Sequence, residues 1–184
     1  MNTIRIDHDE LKRVAVHESG HAVMAFVQGI QCSGVFFAYE PSKTGAIRGG
    51  RFCVPCGNKP PWKKADYLQA AAGAGAEKLF FRGYNRAASE DERKIFGTPG
   101  APEWEATVDE AKMILSNSAD AITRMAEAII AKYKQVPMNL WPDRGMNGTS
   151  TRFKEILSEE VVRQIVESGP TSEPSATSAQ HTPQ

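Results

Sequence analysis

The sequence predicts a mainly helical α+β domain with a small β element of two or three strands. Apolar residues recur at helical spacing in several segments, and β-branched and aromatic residues cluster in a short region between the first two. The chain has 184 residues, of which 41% are apolar and 24% charged, as in ordinary globular proteins. We therefore expect one domain over residues 1–167, followed by a tail.

The first predicted helix spans about residues 9–28, where apolar side chains recur at helical spacing and Gly29 provides a stop. Two strands follow, near residues 35–39 and 51–54. The first is rich in valine and aromatic residues, and the glycines between the two favour a turn. These strands account for the small β element.

The second predicted helix spans about residues 61–83 and contains an alanine- and glycine-rich run at 70–76. Gly73 and Gly75 each cost about 1 kcal/mol relative to alanine inside a helix. Close approach of another helix is the expected compensation. In the first helix, Gly20 likewise leaves room for a neighbouring segment.

The rest of the chain is predicted to be helical with one loop and a tail. A short helical piece follows Ser89, longer helices span about residues 103–116 and 119–135, and residues 137–148 form a loop. We expect a final helix, or two short ones, over residues 150–168. Residues 168–184 are rich in Ser, Thr and Pro and lack apolar side chains for a core, so we expect this tail to be disordered.

The composition argues against several classes of protein. Lys plus Arg and Asp plus Glu each number 22, and this zero net charge argues against a nucleic-acid partner. No apolar run approaches the roughly 20 residues of a membrane-spanning helix, and the N-terminus lacks the apolar core of a secretory signal. Three cysteines suit a reducing compartment. We expect a cytoplasmic protein without direct membrane insertion.

The motif with chemical meaning is His17-Glu18-Ser19-Gly20-His21 in the first predicted helix. Histidines four residues apart share a helix face and can both bind one Zn²⁺, while Glu18 can deprotonate the attacking water. Such motifs also arise by chance as two solvated histidines. Here the flanking residues are apolar, which predicts a buried helix, and burying His, Glu and His without a metal is costly.

A catalytic zinc needs a third protein ligand and an open position for water. The remaining histidines lie in the terminus and the tail, so an acidic residue is expected. The acids that could return to the site are Glu77, Glu90, Asp91, Glu103 and Asp109.

Several segments together resemble the peptidase domain of FtsH-type metalloproteases. Residues 14–22 resemble its zinc motif, residues 34–37 with Gly49-Gly50 resemble its strand and edge segment, and residues 72–83 resemble its Ala-Glu helix. Residues 88–91 (Ala-Ser-Glu-Asp) resemble its Ala-Ser-Asn-Asp segment, and residues 105–113 the helix that follows. The ordered series covers about residues 14–130 and is more specific than the zinc motif alone.

The resemblance implies a zinc metallopeptidase with His17, His21 and Asp91 as zinc ligands and Glu18 as general base. It also implies that Glu77 orients a histidine from the second helix. The segment around Gly49 and Gly50 would hold an extended substrate by edge pairing. Glu90 is the nearest rival of Asp91, because an extra stretch of about residues 93–104 follows.

The sequence does not contain two modules that FtsH-type proteases carry. It contains neither their membrane segments nor a GxxxxGK[ST] nucleotide motif. We expect peptide or unfolded protein as substrate, with a separate ATPase as a candidate partner. The alternatives are a zinc-stabilised adaptor that binds peptides without cutting them, and a regulatory protease that cleaves one partner such as a repressor. The oligomeric state is open.

The cysteines allow three interpretations. Cys53 and Cys56 form a CxxC pair, and Cys32 is a third thiol. They could hold a structural zinc, form a redox pair, or pack as ordinary side chains. No second CxxC pair completes a four-ligand zinc site, which favours ordinary packing.

Overall fold

The computed structural model describes residues 8–41, 47–57, 59–87, 89–135, 143–144 and 151–169. The helices in these ranges are α1 (His8–Val27), α2 (Lys64–Phe80), α3 (Glu90–Arg93), α4 (Trp104–Ser116), α5 (Ala119–Gln135) and α6 (Glu159–Glu167). The strands are β1 (Gly34–Pro41), β2 (Ile47–Cys53), β3 (Asp143–Arg144) and β4 (Arg152–Ser158). The predicted fold class, mainly helical α+β, is confirmed.

The helices predicted before residue 136 are confirmed with small shifts at their ends. α2 begins at Lys64 rather than beside Pro61, where the backbone N–H of Lys63 donates to the Asp66 carboxylate at 2.7 Å. The predicted tail from residue 170 onward lies outside the described residues. So does the predicted loop at 137–148, apart from residues 143–144. Within the described ranges, no helix combines the length and apolar character needed to cross a membrane.

The described strands form one antiparallel sheet in the order β2-β1-β4-β3. The prediction of helix from residue 150 onward is wrong for residues 152–158, which form β4. In this segment Ile156 and Leu157 are buried, and pairing with β1 decides the conformation of a sequence without strong propensity of its own. α6 follows directly, with Ser158 accepting a hydrogen bond from the Val161 N–H at 3.4 Å.

α1 lies at the centre of the core, between α2 on one side and α5 on another. The close packing predicted for the alanine-rich helix is confirmed. A Cβ atom built on Gly20 of α1 would lie 2.5 Å from the Cβ of Ala76 in α2, and one on Gly75 would lie 2.9 Å from the backbone N of Lys112 in α4. The small residues therefore let three helices approach at backbone distance, which fixes the position of α1 relative to α2.

Candidate metal centre

The motif side chains of α1 face the interior of the protein. His17, Glu18 and His21 are all buried, whereas the start of the same helix is exposed. The two histidines lie one turn apart on the face that packs against α2. The burial predicted from the apolar flanks is therefore observed.

Each imidazole is oriented through its Nδ1 atom. His17 Nδ1 lies 2.8 Å from Oε1 of Glu77, and His21 Nδ1 lies 2.9 Å from the backbone carbonyl of Gln69. A carboxylate and a carbonyl can only accept hydrogen bonds, so both Nδ1 atoms carry the hydrogen. In the neutral imidazoles the lone pairs are then on the two Nε2 atoms, which lie 3.1 Å apart. This arrangement of facing lone pairs is the one that a shared metal ion requires.

Glu92 is the acidic residue that reaches the two imidazoles. Its Oε1 lies 3.9 Å from Nε2 of His17 and 3.9 Å from Nε2 of His21. One ligand atom from each of the three residues lies within 4.8 Å of the others, so this group could hold a metal ion. The second carboxylate oxygen of Glu92 is buried and has no hydrogen-bond partner among the described residues. A cation at the site would supply the missing partner.

Asp91, the ligand implied by the family resemblance, does not join this group. Its side chain is 54% exposed and accepts hydrogen bonds from Arg51 at 2.8 Å and from Lys94 at 2.5 Å. Consecutive residues of a helix point about 100° apart, so on α3 only one of Asp91 and Glu92 can face α1. Among the described residues, the group that could hold a metal ion therefore contains Glu92 and not Asp91.

Three other acids considered as third ligands do not join this group either. Glu90 is exposed on α3, and Glu103 is exposed at the start of α4. Asp109 on α4 accepts a hydrogen bond from Lys78 at 2.8 Å. None of them belongs to the potential metal-binding group found among the described residues.

Glu77 contacts His17, the kind of residue that the family resemblance implies it orients. The residue is fully buried on α2, and besides His17 it accepts hydrogen bonds from Arg13 Nη1 at 2.7 Å and from the Asn85 N–H at 2.9 Å. Burial raises the pKa of Glu77, but its bonds to His17 and Arg13 outweigh burial and lower that pKa overall. A negative charge held behind His17 makes its Nε2 a better donor to a cation.

Electrostatics at the site favour one positive charge between the imidazoles. Burial lowers the pKa of His17, but its bonds to Glu77 and Glu92 outweigh this and raise that pKa to about 10. Burial and the charge on His17 together lower the pKa of His21 to about 4. A proton can supply the charge that this network stabilises, and a metal cation can replace the proton.

Glu18 lies beside this group, at the wall of a cleft of about 620 Å³. Burial raises the pKa of its carboxyl to about 7. Such a pKa suits a general base near neutral pH. The cleft is also lined by Arg51 and Cys53 of β2 and by the two histidines, so α1, β2 and α3 meet around it.

Gly49 and Gly50 lie on β2, at one end of the strand order. Gly50 pairs with Tyr39 of β1, and a Cβ atom built on it would lie 2.1 Å from Cζ of Phe37. Glycine is therefore required here for the packing of an aromatic ring against the strand. An edge strand beside the cleft is also the position from which an extended peptide could be paired.

Sequence reasoning missed three contributors to the site. Glu92 is one of three consecutive acids at residues 90–92, and the sequence alone does not show which of them faces the histidines. Arg13 precedes His17 by one helical turn, a spacing that could have suggested its shared partner Glu77. Gly73 of α2 lies against the His17 ring, where a built Cβ would be 2.3 Å from Nε2.

Comparison with known proteins adds no family to this description, because the chain matches no family model and no curated protein. The resemblance to FtsH-type proteases thus depends on the sequence motifs alone.

Proposed function

We propose that the protein is a zinc-dependent peptidase whose metal is held by His17, His21 and Glu92. The observation that carries the proposal is the convergence of two buried Nε2 atoms and one carboxylate beside the buried Glu18, at the wall of a cleft. Three protein ligands leave a fourth position open, which is typical of catalytic rather than structural zinc sites.

The donor set supports zinc over the common alternatives. Calcium and magnesium prefer oxygen ligands, whereas two imidazoles and one carboxylate suit zinc. The buried oxygen acceptors behind both Nδ1 atoms add the outer hydrogen bonds that zinc-binding histidines generally make. When bound, zinc would polarise a peptide carbonyl and lower the pKa of water.

Glu18 would act as the general base. Its carboxylate takes a proton from the attacking water and passes it to the amine that leaves when the peptide bond breaks. The pKa raised to about 7 allows both steps near neutral pH. Peptides or unfolded proteins are the proposed substrates, because the cleft is open beside the edge strand β2. A reducing, cytoplasmic location is proposed from the three free cysteines.

The test compares wild type with Glu18→Gln and Glu127→Gln, each loaded with one equivalent of zinc. Glu127 is exposed on α5, does not line the cleft, and serves as the matched control. Cleavage of a peptide library and of an unfolded protein is followed by mass spectrometry. We expect Glu18→Gln to bind zinc with wild-type affinity and to lose at least about 10²-fold in cleavage rate, as expected for loss of a general base. Glu127→Gln should cleave at the wild-type rate.

Two results would reject the peptidase proposal. Equal cleavage by Glu18→Gln and wild type would show that another group activates the water. Stoichiometric zinc and tight peptide binding without any cleavage by wild type would instead support the adaptor function. Addition of a cytosolic ATPase fraction to the same reactions tests whether cleavage of folded proteins needs a separate motor.

A further inference from the structure

Cys32 and Cys56 face each other across an isolated antiparallel bridge. The flanking residues make its hydrogen bonds, with Ser33 N–H donating to the Pro55 carbonyl at 3.1 Å and Gly57 N–H donating to the Gln31 carbonyl at 3.2 Å. The two cysteines are therefore a non-hydrogen-bonded pair, in which opposite Cα atoms are about 4.5 Å apart and side chains are close. This distance lies within the range that a disulfide spans, about 4.4–6.8 Å.

Each thiol also donates to a backbone carbonyl, Cys32 Sγ to Gly34 at 3.8 Å and Cys56 Sγ to Val54 at 3.6 Å. The interaction between the two thiols lowers the pKa of Cys32 and raises the pKa of Cys56. Gln69 Nε2 donates to Cys56 Sγ at 3.2 Å. Both side chains are half-buried, so small molecules can reach the pair. A nucleophilic thiol thus lies directly beside a second thiol that can resolve it.

Cys53 does not share this environment, although the sequence placed it in a CxxC pair with Cys56. It lies on β2 opposite Phe36, and its charged neighbours are Glu18 and Arg51. Burial raises the pKa of Cys53 to about 12, and the residue opposite it in the register is a phenylalanine rather than a thiol. Nor do the cysteines form a metal site, since the potential ligand group found in the described ranges contains no thiol.

We propose that Cys32 and Cys56 form a site of reversible oxidation by low-molecular-weight disulfides. The Cys32 thiolate attacks one sulfur of the small disulfide, forming a mixed disulfide and releasing one small thiolate. Cys56 then loses its proton to solvent and attacks Cys32 Sγ, which releases the second small thiolate. Two protein thiols are oxidised by two electrons to one disulfide, and one small disulfide is reduced to two thiols.

The cross-link would join the two ends of a segment that contains β1 and β2. It would also lie one side chain away from the candidate metal centre, because Gln69 contacts Cys56 through its amide and His21 through both its amide and its backbone carbonyl. The inference does not depend on the proposed peptidase activity.

The experiment incubates the reduced full chain with oxidised glutathione, blocks free thiols by alkylation, and maps peptides without reduction. We expect one intrachain cross-link between the peptides of Cys32 and Cys56, with Cys53 alkylated and the cross-link reversed by dithiothreitol. Cys53→Ser is the matched control and should form it at the wild-type rate. Cys56→Ser should instead accumulate a glutathione adduct on Cys32.

The wild-type map alone can overturn the inference, whatever the variants do. A cross-link between Cys53 and Cys56, a cross-link between chains, stable glutathione adducts without an intrachain bond, or alkylation of all three thiols would each contradict it. Loss of the cross-link in Cys53→Ser would also contradict the proposal, because Cys53 has no part in the proposed exchange.

Discussion

Gly73→Ala is the most direct test of the candidate metal centre, because it adds one methyl group against the ring of His17. A Cβ atom built at this position would lie 2.3 Å from Nε2 and 2.5 Å from both Cδ2 and Cε1. Contacts of Cβ atoms shorter than 3.0 Å essentially do not occur, so an atom must shift. The backbone of α2 is packed closely against α1 and α4, so we expect the ring of His17 to move. The required shift of about 0.7 Å exceeds the ~0.2 Å tolerance of a zinc–nitrogen distance.

The expected loss of zinc affinity in Gly73→Ala can be estimated from the displacement of the His17 ring. Changes to groups that orient a metal-binding histidine typically cost about 10–100-fold in metal affinity. Gly73→Ala displaces the ligand atom itself, so we expect the upper end, about 100-fold, which corresponds to about 2.7 kcal/mol. Helix propensity works in the opposite direction, since alanine is favoured over glycine by about 1 kcal/mol inside a helix. A loss of zinc affinity therefore cannot be ascribed to a weakened α2.

The assay is a zinc titration against a chromophoric chelator at fixed pH. Gly83→Ala is the matched control, because a Cβ built at Gly83 meets nothing within 4 Å and its backbone carbonyl, which accepts from Arg13, is retained. Thermal unfolding with excess chelator checks that both variants are folded. Wild-type zinc affinity in Gly73→Ala would refute the placement of His17 Nε2 at the metal.

Three further predictions concern the acids around the imidazoles. Glu92→Gln should lower zinc affinity at least about 10-fold, while Asp91→Asn should change it less than about twofold. A larger loss of zinc affinity in Asp91→Asn than in Glu92→Gln would instead support Asp91 as the ligand. Glu77→Gln leaves His17 and Arg13 without their buried carboxylate. It should lower the free energy of unfolding, measured by urea titration, by about 2–4 kcal/mol. A loss below about 0.5 kcal/mol would contradict the hydrogen-bond network of Glu77, His17 and Arg13. Because the pKa of Glu77 is lowered in the folded protein, its stabilisation is present above the ordinary pKa of glutamate and lost as pH falls through the lowered value. The stability difference between wild type and Glu77→Gln should therefore shrink in acid, and a difference that grows as pH falls would contradict that sign.

The elements that sequence reasoning predicted well are those with local causes. The spacing of apolar residues predicted α1, and the small residues of α2 predicted the close approach that Gly20 and Ala76 now show. β4 was missed because its conformation depends on pairing with β1, a partner more than a hundred residues away in the chain. Local periodicity carries no information on such pairing.

The candidate site also combines features that depend on local sequence with features that depend on how the elements pack. The spacing of His17 and His21 is a property of one helix and could be predicted from the sequence. In the structure it places their two Nε2 atoms 3.1 Å apart. The choice between Asp91 and Glu92 depends instead on the rotation of α3 about its axis relative to α1. Neighbouring acids of similar chemistry cannot be separated by motif matching, because a shift of one residue changes the direction of the side chain by about 100°.

The ion pair of Asp91 lies on the side of α3 that faces away from the imidazoles. Arg51 on β2 donates to Asp91 across the mouth of the cleft at 2.8 Å, and Lys94 donates from the next turn. Both partners are largely exposed, so the pair adds little to global stability. Asp91 thus points toward β2, while the next residue, Glu92, points toward the imidazoles. Because an exposed ion pair contributes little, Asp91→Asn should leave Glu92 in place. The acid implied by the family resemblance and the acid in the candidate metal centre are consecutive residues of one short helix.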